Sequence, residues 1–413
     1  MRTNLTRREW LKLSSVTSVG IAAGLGGPYV RRTAAQDKGP IRIGFPVPLS
    51  GIYGDYANDQ VNGAQLAVDE WNAKGGVLGR KVELLKRDDQ LQVDVITRLA
   101  KELVENDKVN FLSGALGEHT ILAMNEVSRG YKIPFVGINQ SNDIFTGKNF
   151  NKHTFLEAFT PYMSVAVLAK WAVKEWKPKR VFTIGPDYQW GWNNRDQWKR
   201  HIQAAGGQIV GEIIYPFKHS DYTPFMQKIL DAKPDVLCAA NFGDEQVLFL
   251  KQAVPFGLQK KMRILLTLTG ITPRVPAGDE AFENIYGGTT FYWELAKTIP
   301  STKRFVEAFQ KKHPNPPGDY GANAYSAVRL LLDATQKVGA LDNDKIIESI
   351  EGLKYDHYKG QEWMRPCTHQ SFQDFYVLKN RPKPEGKWGY FEVVHREPLS
   401  EGLERSCDTL RSA

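Results

Sequence analysis

The chain has 413 residues, of which 42% are hydrophobic, 24% charged and 11% aromatic, a balance that excludes disorder or a fibrous repeat as the main theme. The length predicts roughly two compact domains. The formal net charge of +8 invites a nucleic-acid or anionic-membrane partner, but residues 1–35 hold Arg2, Arg7, Arg8, Lys12, Arg31 and Arg32 against the single acid Glu9, so five of the eight charges sit there. The rest is nearly balanced, and no nucleic-acid partner is expected.

At the N-terminus, Leu11 to Leu25 form a mildly apolar stretch of 15 residues behind a basic start, too short to cross a bilayer as a helix. Thr33, Ala34 and Ala35 then offer an A-x-A-like cleavage site before Gln36, so residues 1–35 read as an export signal. The run Thr6-Arg7-Arg8-Glu9-Trp10-Leu11-Lys12 resembles the twin-arginine motif, which implies the twin-arginine export machinery as a partner. A general secretory signal with two chance arginines is the other reading. No cysteine lies near residue 35 to take a lipid, so the mature protein is expected to be soluble in the periplasm.

From Ile41 onward, short apolar runs alternate with segments of helical period, the pattern of a parallel sheet covered on both faces by helices. Strands are expected at Ile41–Pro46, Lys81–Lys86, Val109–Ser113, Pro134–Ile138, Arg180–Ile184, Gln208–Tyr215, Asp235–Ala240 and Arg263–Thr267. Between the first two, Val61, Ala64, Ala67, Val68 and Trp71 fall on one helical stripe. Ile96, Leu99, Leu103 and Val104 make a similar one. The rhythm breaks at Phe155–Pro161, resumes with a helix over Met163–Trp176, and breaks again near Tyr286–Thr290 before helices at Ser301–Lys312 and Ala322–Val338. Two α/β units of similar size, the first resumed late in the chain, account for this order.

Of the three cysteines, Cys238 sits in an apolar run and is expected to be buried and unpaired. Cys367 and Cys407 lie in irregular polar sequence and are expected to pair, since export permits disulfides.

The sequence offers no catalytic constellation: no Gly-x-Ser-x-Gly elbow, no phosphate-binding Gly-x-x-x-x-Gly-Lys-Ser/Thr loop and no His-Glu-x-x-His pair. The eight histidines are dispersed, so no metal site or cofactor is expected. Asp88-Asp89 and Asp244-Glu245 read as solvated loop acids. What stands out is the sequence just after the strands, where open α/β sheets bind ligands. There lie Pro48-Leu-Ser-Gly-Ile-Tyr53-Gly-Asp-Tyr56, Ser113 to Thr120, Asn139-Gln-Ser-Asn142, Asp187-Tyr188-Gln-Trp190-Gly-Trp192 and Asn241-Phe242-Gly-Asp-Glu245. Each is expected to precede a helix, so that backbone N–H groups face one cleft. Two such rims would enclose an aromatic-lined small-molecule pocket.

These residues resemble the type I periplasmic binding proteins that serve ABC importers of branched-chain amino acids. The strongest match is Pro48-Leu-Ser-Gly51, then Asn62-Gly63-Ala64, Ala67, Glu70-x-Asn72, Gly75-Gly76-Val-Leu-Gly79-Arg80 and Asp88. Ile133-Pro134-Phe-Val, the Gly191 turn, Leu250-Lys-Gln-Ala253, Gly257-Leu258, Ala324-Tyr325-Ser-Ala327 and Arg365-Pro-Cys-Thr-His-Gln370 extend it over nearly all of residues 41–408. The resemblance implies an α/β fold of two doubly wound, Rossmann-like lobes joined by three hinge crossovers, near Phe155–Pro161, Gly287–Trp293 and Tyr355–Pro366. Lobe 1 would comprise residues 36–157 plus 291–360, and lobe 2 residues 158–290 plus 361–413. It implies no enzyme but a monomer that captures a small-molecule ligand and delivers it to an ABC permease in the inner membrane. A sensory receptor coupled to a membrane signalling partner is the alternative.

Carried over position by position, the resemblance implies a ligand set of Tyr56, the loop Glu118, His119 and Thr120, the stretch Asn139, Gln140 and Ser141, then Trp190, Phe242 or Gly243, Thr269 and Tyr320. Thr269 stands where the family has an acid for the ligand ammonium, so leucine or valine is not the expected ligand. The amides of Asn139 and Gln140 suit a neutral or anionic polar group. Glu118 opposes an anion unless it points away.

Overall fold

In the computed structural model the described residues are 39–412; the export signal expected over residues 1–35 lies outside them. The first sheet contains β1 (Ile41–Val47), β2 (Val82–Asp88), β3 (Phe111–Gly114), β4 (Phe135–Gly137) and β5 (Thr154–Leu156), all parallel in the order β2-β1-β3-β4-β5. The second contains β6 (Arg180–Pro186), β7 (Gln208–Tyr215), β8 (Val236–Ala239), β9 (Arg263–Leu266) and β10 (Ile285–Thr289). A small sheet of β11 (Lys354–Tyr355), β12 (Glu362–Met364) and β13 (Ser371–Phe372) follows. Then β14 (Phe375–Glu385) and β15 (Gly389–Glu397) join the second sheet antiparallel, in the order β15-β14-β10-β9-β8-β6-β7. That sheet is therefore mixed, where an all-parallel one was expected.

Between the strands of the first lobe run α1 (Gly54–Ala73), α2 (Val93–Glu105) and α3 (Glu118–Tyr131). The second lobe supplies α4 (Pro161–Trp176), α5 (Gln189–Ala204), α6 (Thr223–Asp231), α7 (Asp244–Ala253), α8 (Leu258–Lys261) and α9 (Ile271–Ala277). After β10 come α10 (Pro300–Gln310), α11 (Asp319–Val338) and α12 (Asn343–Ile350), and α13 (Cys407–Ser412) ends the described chain.

Successive strand residues point to opposite faces, and both faces are filled. In the first sheet Phe111, Val136 and Phe155 join one core with Ala64 of α1 and Leu330 of α11, while Leu112, Phe135 and Leu156 join another with Leu103 and Met124. In the second sheet Val181, Val236 and Leu265 pack with Trp198, and their neighbours Phe182, Leu237 and Ile264 pack with Ile229 and Phe249. Alternation of buried residues on both faces explains why these strands read as continuous apolar runs.

Two segments expected as breaks are strands: β5 lies at the start of Phe155–Pro161, and β10 spans the glycines at 287 and 288. The stretch 139–142 leads through turns into β5 and precedes no helix. Gly191, expected in a turn, lies inside α5. The chain also returns to the second sheet later than the crossover expected over Tyr355–Pro366. The Leu156 N–H donates to the His369 carbonyl at 2.9 Å, so residues 362–372 lie against the first sheet, and the second sheet resumes only at Phe375.

The C-terminal residues, expected wholly in the second lobe, also touch the first: Arg405 donates to the Asn142 carbonyl at 2.9 Å and the Gly147 N–H to that of Leu410 at 2.9 Å. A disulfide between Cys367 and Cys407, with Cα atoms 6.1 Å apart and a sequence separation of 40, ties this tail to the small sheet. Loop closure of that length contributes roughly 4 kcal/mol in the chain-entropy account. Cys238 is free and buried, and burial holds its thiol well above its ordinary range.

Candidate functional site

The first rim is set by Asp88, at the end of β2. Its carboxylate accepts from the Leu49 N–H at 3.0 Å, the Ser50 hydroxyl at 2.7 Å and the Gln90 N–H at 3.0 Å. This pins the loop that launches α1 and carries Tyr53 and Tyr56. α1 then crosses α11 so closely that a Cβ on Gly63 would lie 1.8 Å from the Gly321 carbonyl oxygen, and only glycine fits. Asp59 joins the same seam by accepting from the N–H groups of Gly318 at 3.2 Å and Gly321 at 2.7 Å, placing a carboxylate at the start of α11. The crossing brings Tyr320 edge-on to Tyr56, ring centres 5.3 Å apart.

The second rim comes from the ends of β6 and β8. Trp190, in the first turn of α5, donates from Nε1 to the Ala240 carbonyl at 2.6 Å, which fixes its ring between the two strand ends. Gly243 caps α7 at a positive φ of 63° and sits against the Tyr53 ring, beside Phe242.

The two rims meet directly. The hydroxyls of Tyr53 and Tyr188 lie 3.1 Å apart, the Asp244 N–H donates to the Ile52 carbonyl at 3.2 Å, and the Asn193 amide donates to Glu118 at 3.3 Å. Gln189 donates to Asp143. Between them lies a narrow space, closed down in this arrangement to room for about one water, with Glu118, Asn139, Trp190, Phe242 and Tyr320 in its lining.

The other residues of the expected set stand behind this lining or do other work. Tyr56 packs its ring on Phe242 at 4.3 Å. His119 contacts the Leu91 carbonyl at 3.3 Å, and burial holds its imidazole below the ordinary range. The Thr120 hydroxyl is spent on the carbonyls of Leu116 and Gly117 one turn back. Ser141 Oγ accepts from the N–H groups of Asp143 and Ile144 in a turn. Gln140 is buried with its Oε1 unpartnered, Gly243 is a cap, and Thr269 is a buried residue whose N–H pairs with Gly288. Leu268, one residue earlier, faces the space, as do Tyr53, Gly117 and Tyr188. Both tyrosines lie in the post-strand runs singled out above, so the visible signal was an aromatic at each strand end; which one points inward depends on helix phase.

Glu118 is the unusual group. It is 1% exposed; Oε1 accepts from the Asn142 N–H at 3.0 Å and from Asn193, while Oε2 meets no hydrogen-bond partner. Burial first, and then Asp143, push its carboxyl up to about 8, against the nearby Ser141 hydroxyl and these donors. Glu245 and Asp89, expected to be solvated, are buried instead. Glu245 accepts from the Lys218 N–H at 2.7 Å and the His219 N–H at 3.2 Å, closing the loop after β7, and burial pushes it up to about 7. A roomier, more open crevice of about 320 Å³ lies between α1, α9 and the loop His313–Gly318, beside Asp59, with Phe309 and Trp388 in its lining. Among the described residues no group of three His, Cys, Asp or Glu side chains is placed to hold a metal ion.

Known proteins share this fold. The periplasmic binding protein family matches residues 40–384. A Leu/Ile/Val-binding protein homolog 8 of Brucella abortus is 24% identical over 346 residues, 81% of this chain and 85% of that protein. The crystal structure of a periplasmic binding protein from Burkholderia mallei superposes with a TM-score of 0.83 at 24% identity, covering 91% of this chain and 98% of that one. A solute binding protein of an ABC transporter from Rhodopseudomonas palustris, in complex with 3,4-dihydroxybenzoic acid, superposes with a TM-score of 0.77 at 24% identity, covering 88% and 98%.

Proposed function

The chain belongs to the periplasmic binding protein family, and we propose that it captures a small polar solute between its two lobes and releases it, chemically unchanged, to an ABC permease in the inner membrane. The observation that carries this reading is the meeting of two rims, from different sheets, around one aromatic-lined space. A solute held there touches Trp190 and Phe242 of one lobe and Glu118, Asn139 and Tyr320 of the other. Contacts made to both lobes at once exist only in the closed form, and only such contacts shift a hinge equilibrium toward closure.

The hinge consists of the strand-to-helix passages after β5 and β10 and the passage into β14. Lobe 1 then comprises residues 39–157 and 291–372, and lobe 2 residues 158–290 and 373–397, with the C-terminal tail strapped across both. The Thr6–Lys12 run supports export by the twin-arginine route. The described residues include no helix long and apolar enough to cross a membrane. The working form is a monomer in the periplasm.

The test is denaturing mass spectrometry of small molecules released from gently purified protein, followed by calorimetric titration of what is found. A stoichiometric solute that rebinds one per chain is expected. A protein that releases none and binds none of a broad panel of amino acids, amides, amines and aromatic acids contradicts capture.

A further inference from the structure

The composition of the enclosed space bears on what it holds, given the capture reading above. Five aromatic rings (Tyr53, Tyr188, Trp190, Phe242 and Tyr320) line the space together with Glu118, and no lysine or arginine is in the lining. The charges that reach these rings are negative: Glu245 and Glu118 act on Tyr188, Asp319 on Tyr320, and Asp143 on Glu118 itself. Two ammonium groups lie outside the lining: that of the exposed Lys218 acts on His119 and sits 5.9 Å from the ring of Phe217, which packs behind Tyr188, and that of Lys359 acts on Asp319.

Glu118 Oε2 makes no hydrogen bond of its own, and the carboxyl has only neutral donors around it, the Asn142 N–H, the Asn193 amide and the nearby Ser141 hydroxyl; a buried carboxylate with no counter-ion is strongly disfavoured. Aromatic faces, by contrast, attract a cation through their quadrupole, the more so when water is excluded. An amino-acid zwitterion or an aromatic acid would bring a second carboxylate beside Glu118 and Asp143, with no basic side chain to meet it.

We propose that the solute is a small organic cation without a carboxylate, an alkylammonium or alkylguanidinium ion, whose head pairs with Glu118 Oε2 and whose body lies among the five rings. The missing counter-ion of the site is then the ligand itself. Since Glu118 in the empty site holds its proton up to about pH 8, pairing with a cation ionises it, and binding at pH 7 releases a proton.

The test is calorimetric titration of the solute-stripped protein with n-butylammonium, n-butylguanidinium, n-butyramide, L-leucine and benzoate, in two buffers of different ionisation enthalpy. At least one of the two cations is expected to bind ten times more tightly than butyramide or more, with proton release. Glu118→Gln, checked for folding by its melting curve, is expected to lose that affinity tenfold or more while butyramide binding changes less than threefold.

Tighter binding of butyramide, leucine or benzoate than of both cations overturns the cation assignment and leaves capture standing. Silence in every arm, together with no solute released on denaturation, overturns both. Cation binding without proton release, or undiminished in Glu118→Gln, overturns the role of Glu118 without depending on how well the variant folds.

Discussion

At the hinge, Glu157 and Glu362 are buried beside the ammonium of Lys359, whereas at the cleft rim Glu118 is buried with no cation at all. Lys359 lies 3.5 Å from Glu362, both 1% exposed, and donates to the Thr290 carbonyl at 2.9 Å and to Gln373. Glu157, Thr290 and Gln373 lie, on the proposed lobe boundaries, one in each of the three passages between the lobes; the ammonium bonds Thr290 and Gln373 directly and feels the charge of Glu157. Burial lowers the Lys359 pKa and raises that of Glu362 well above its ordinary range, so this cluster too is costly to ionise. The difference lies in what supplies the balance. Where the fold must persist through opening and closing, the chain provides its own cation; where a solute must enter and leave, it does not.

The sharpest way to break this comparison is to unbalance the hinge. Lys359→Met keeps the volume and strands two glutamates, and about 3–5 kcal/mol of stability should be lost, read as a drop in the urea midpoint. A loss below about 1 kcal/mol would make the hinge cluster as dispensable as a surface pair.

At the rim the sign reverses. Glu118 has a carboxyl at about 8 in the fold against an ordinary 4.5, so the unfolded chain gives up the proton more readily, and the wild type loses stability as pH rises from about 5 toward 8. Glu118→Gln escapes that loss, and its advantage over wild type should grow by about 2 kcal/mol between pH 5 and pH 7, measured by urea unfolding without solute. Parallel stability curves for the two proteins would place a hidden counter-ion at Glu118.

The smallest effect belongs to the contact between lobes. Tyr53→Phe removes one hydroxyl from the 3.1 Å pair with Tyr188; about 1 kcal/mol or less is at stake, so solute affinity should fall a few-fold in calorimetry with the melting temperature nearly unchanged. A large fall in melting temperature instead would make Tyr53 part of the permanent frame.

Much of this frame is legible before folding. Eight strands read from apolar runs lie within about two residues of those observed, because buried parallel strands leave an unbroken apolar signature. The motif residues that mark the family are structural: Gly63 admits Gly321, Asp88 pins the first rim, and Asn72 bridges α1 to β2 by accepting from the Val82 N–H at 2.8 Å and donating to its carbonyl at 2.9 Å. Short strands were lost where length or glycine hides the period, as at β5 and β10. The β14–β15 hairpin was lost because an antiparallel addition breaks the α/β rhythm. At the site, the sequence marks which loops converge but not their phase. Tyr53, which caps α1, and Tyr56 in its first turn lie three residues apart, and Leu268 precedes Thr269 by a single step, so each pair is resolved only by packing. That Glu118 is buried with Oε1 held and Oε2 left over depends on Asn142 and Asn193, 24 and 75 residues away.

Closure around a solute is the central claim, and small-angle scattering tests it most directly. The mature protein is stripped by unfolding and refolding, then saturated with its tightest-binding solute. Stripped protein should scatter as a more extended particle, and saturation should bring the curve onto the closed arrangement in which Tyr53 meets Tyr188. Identical curves with and without bound solute would contradict it.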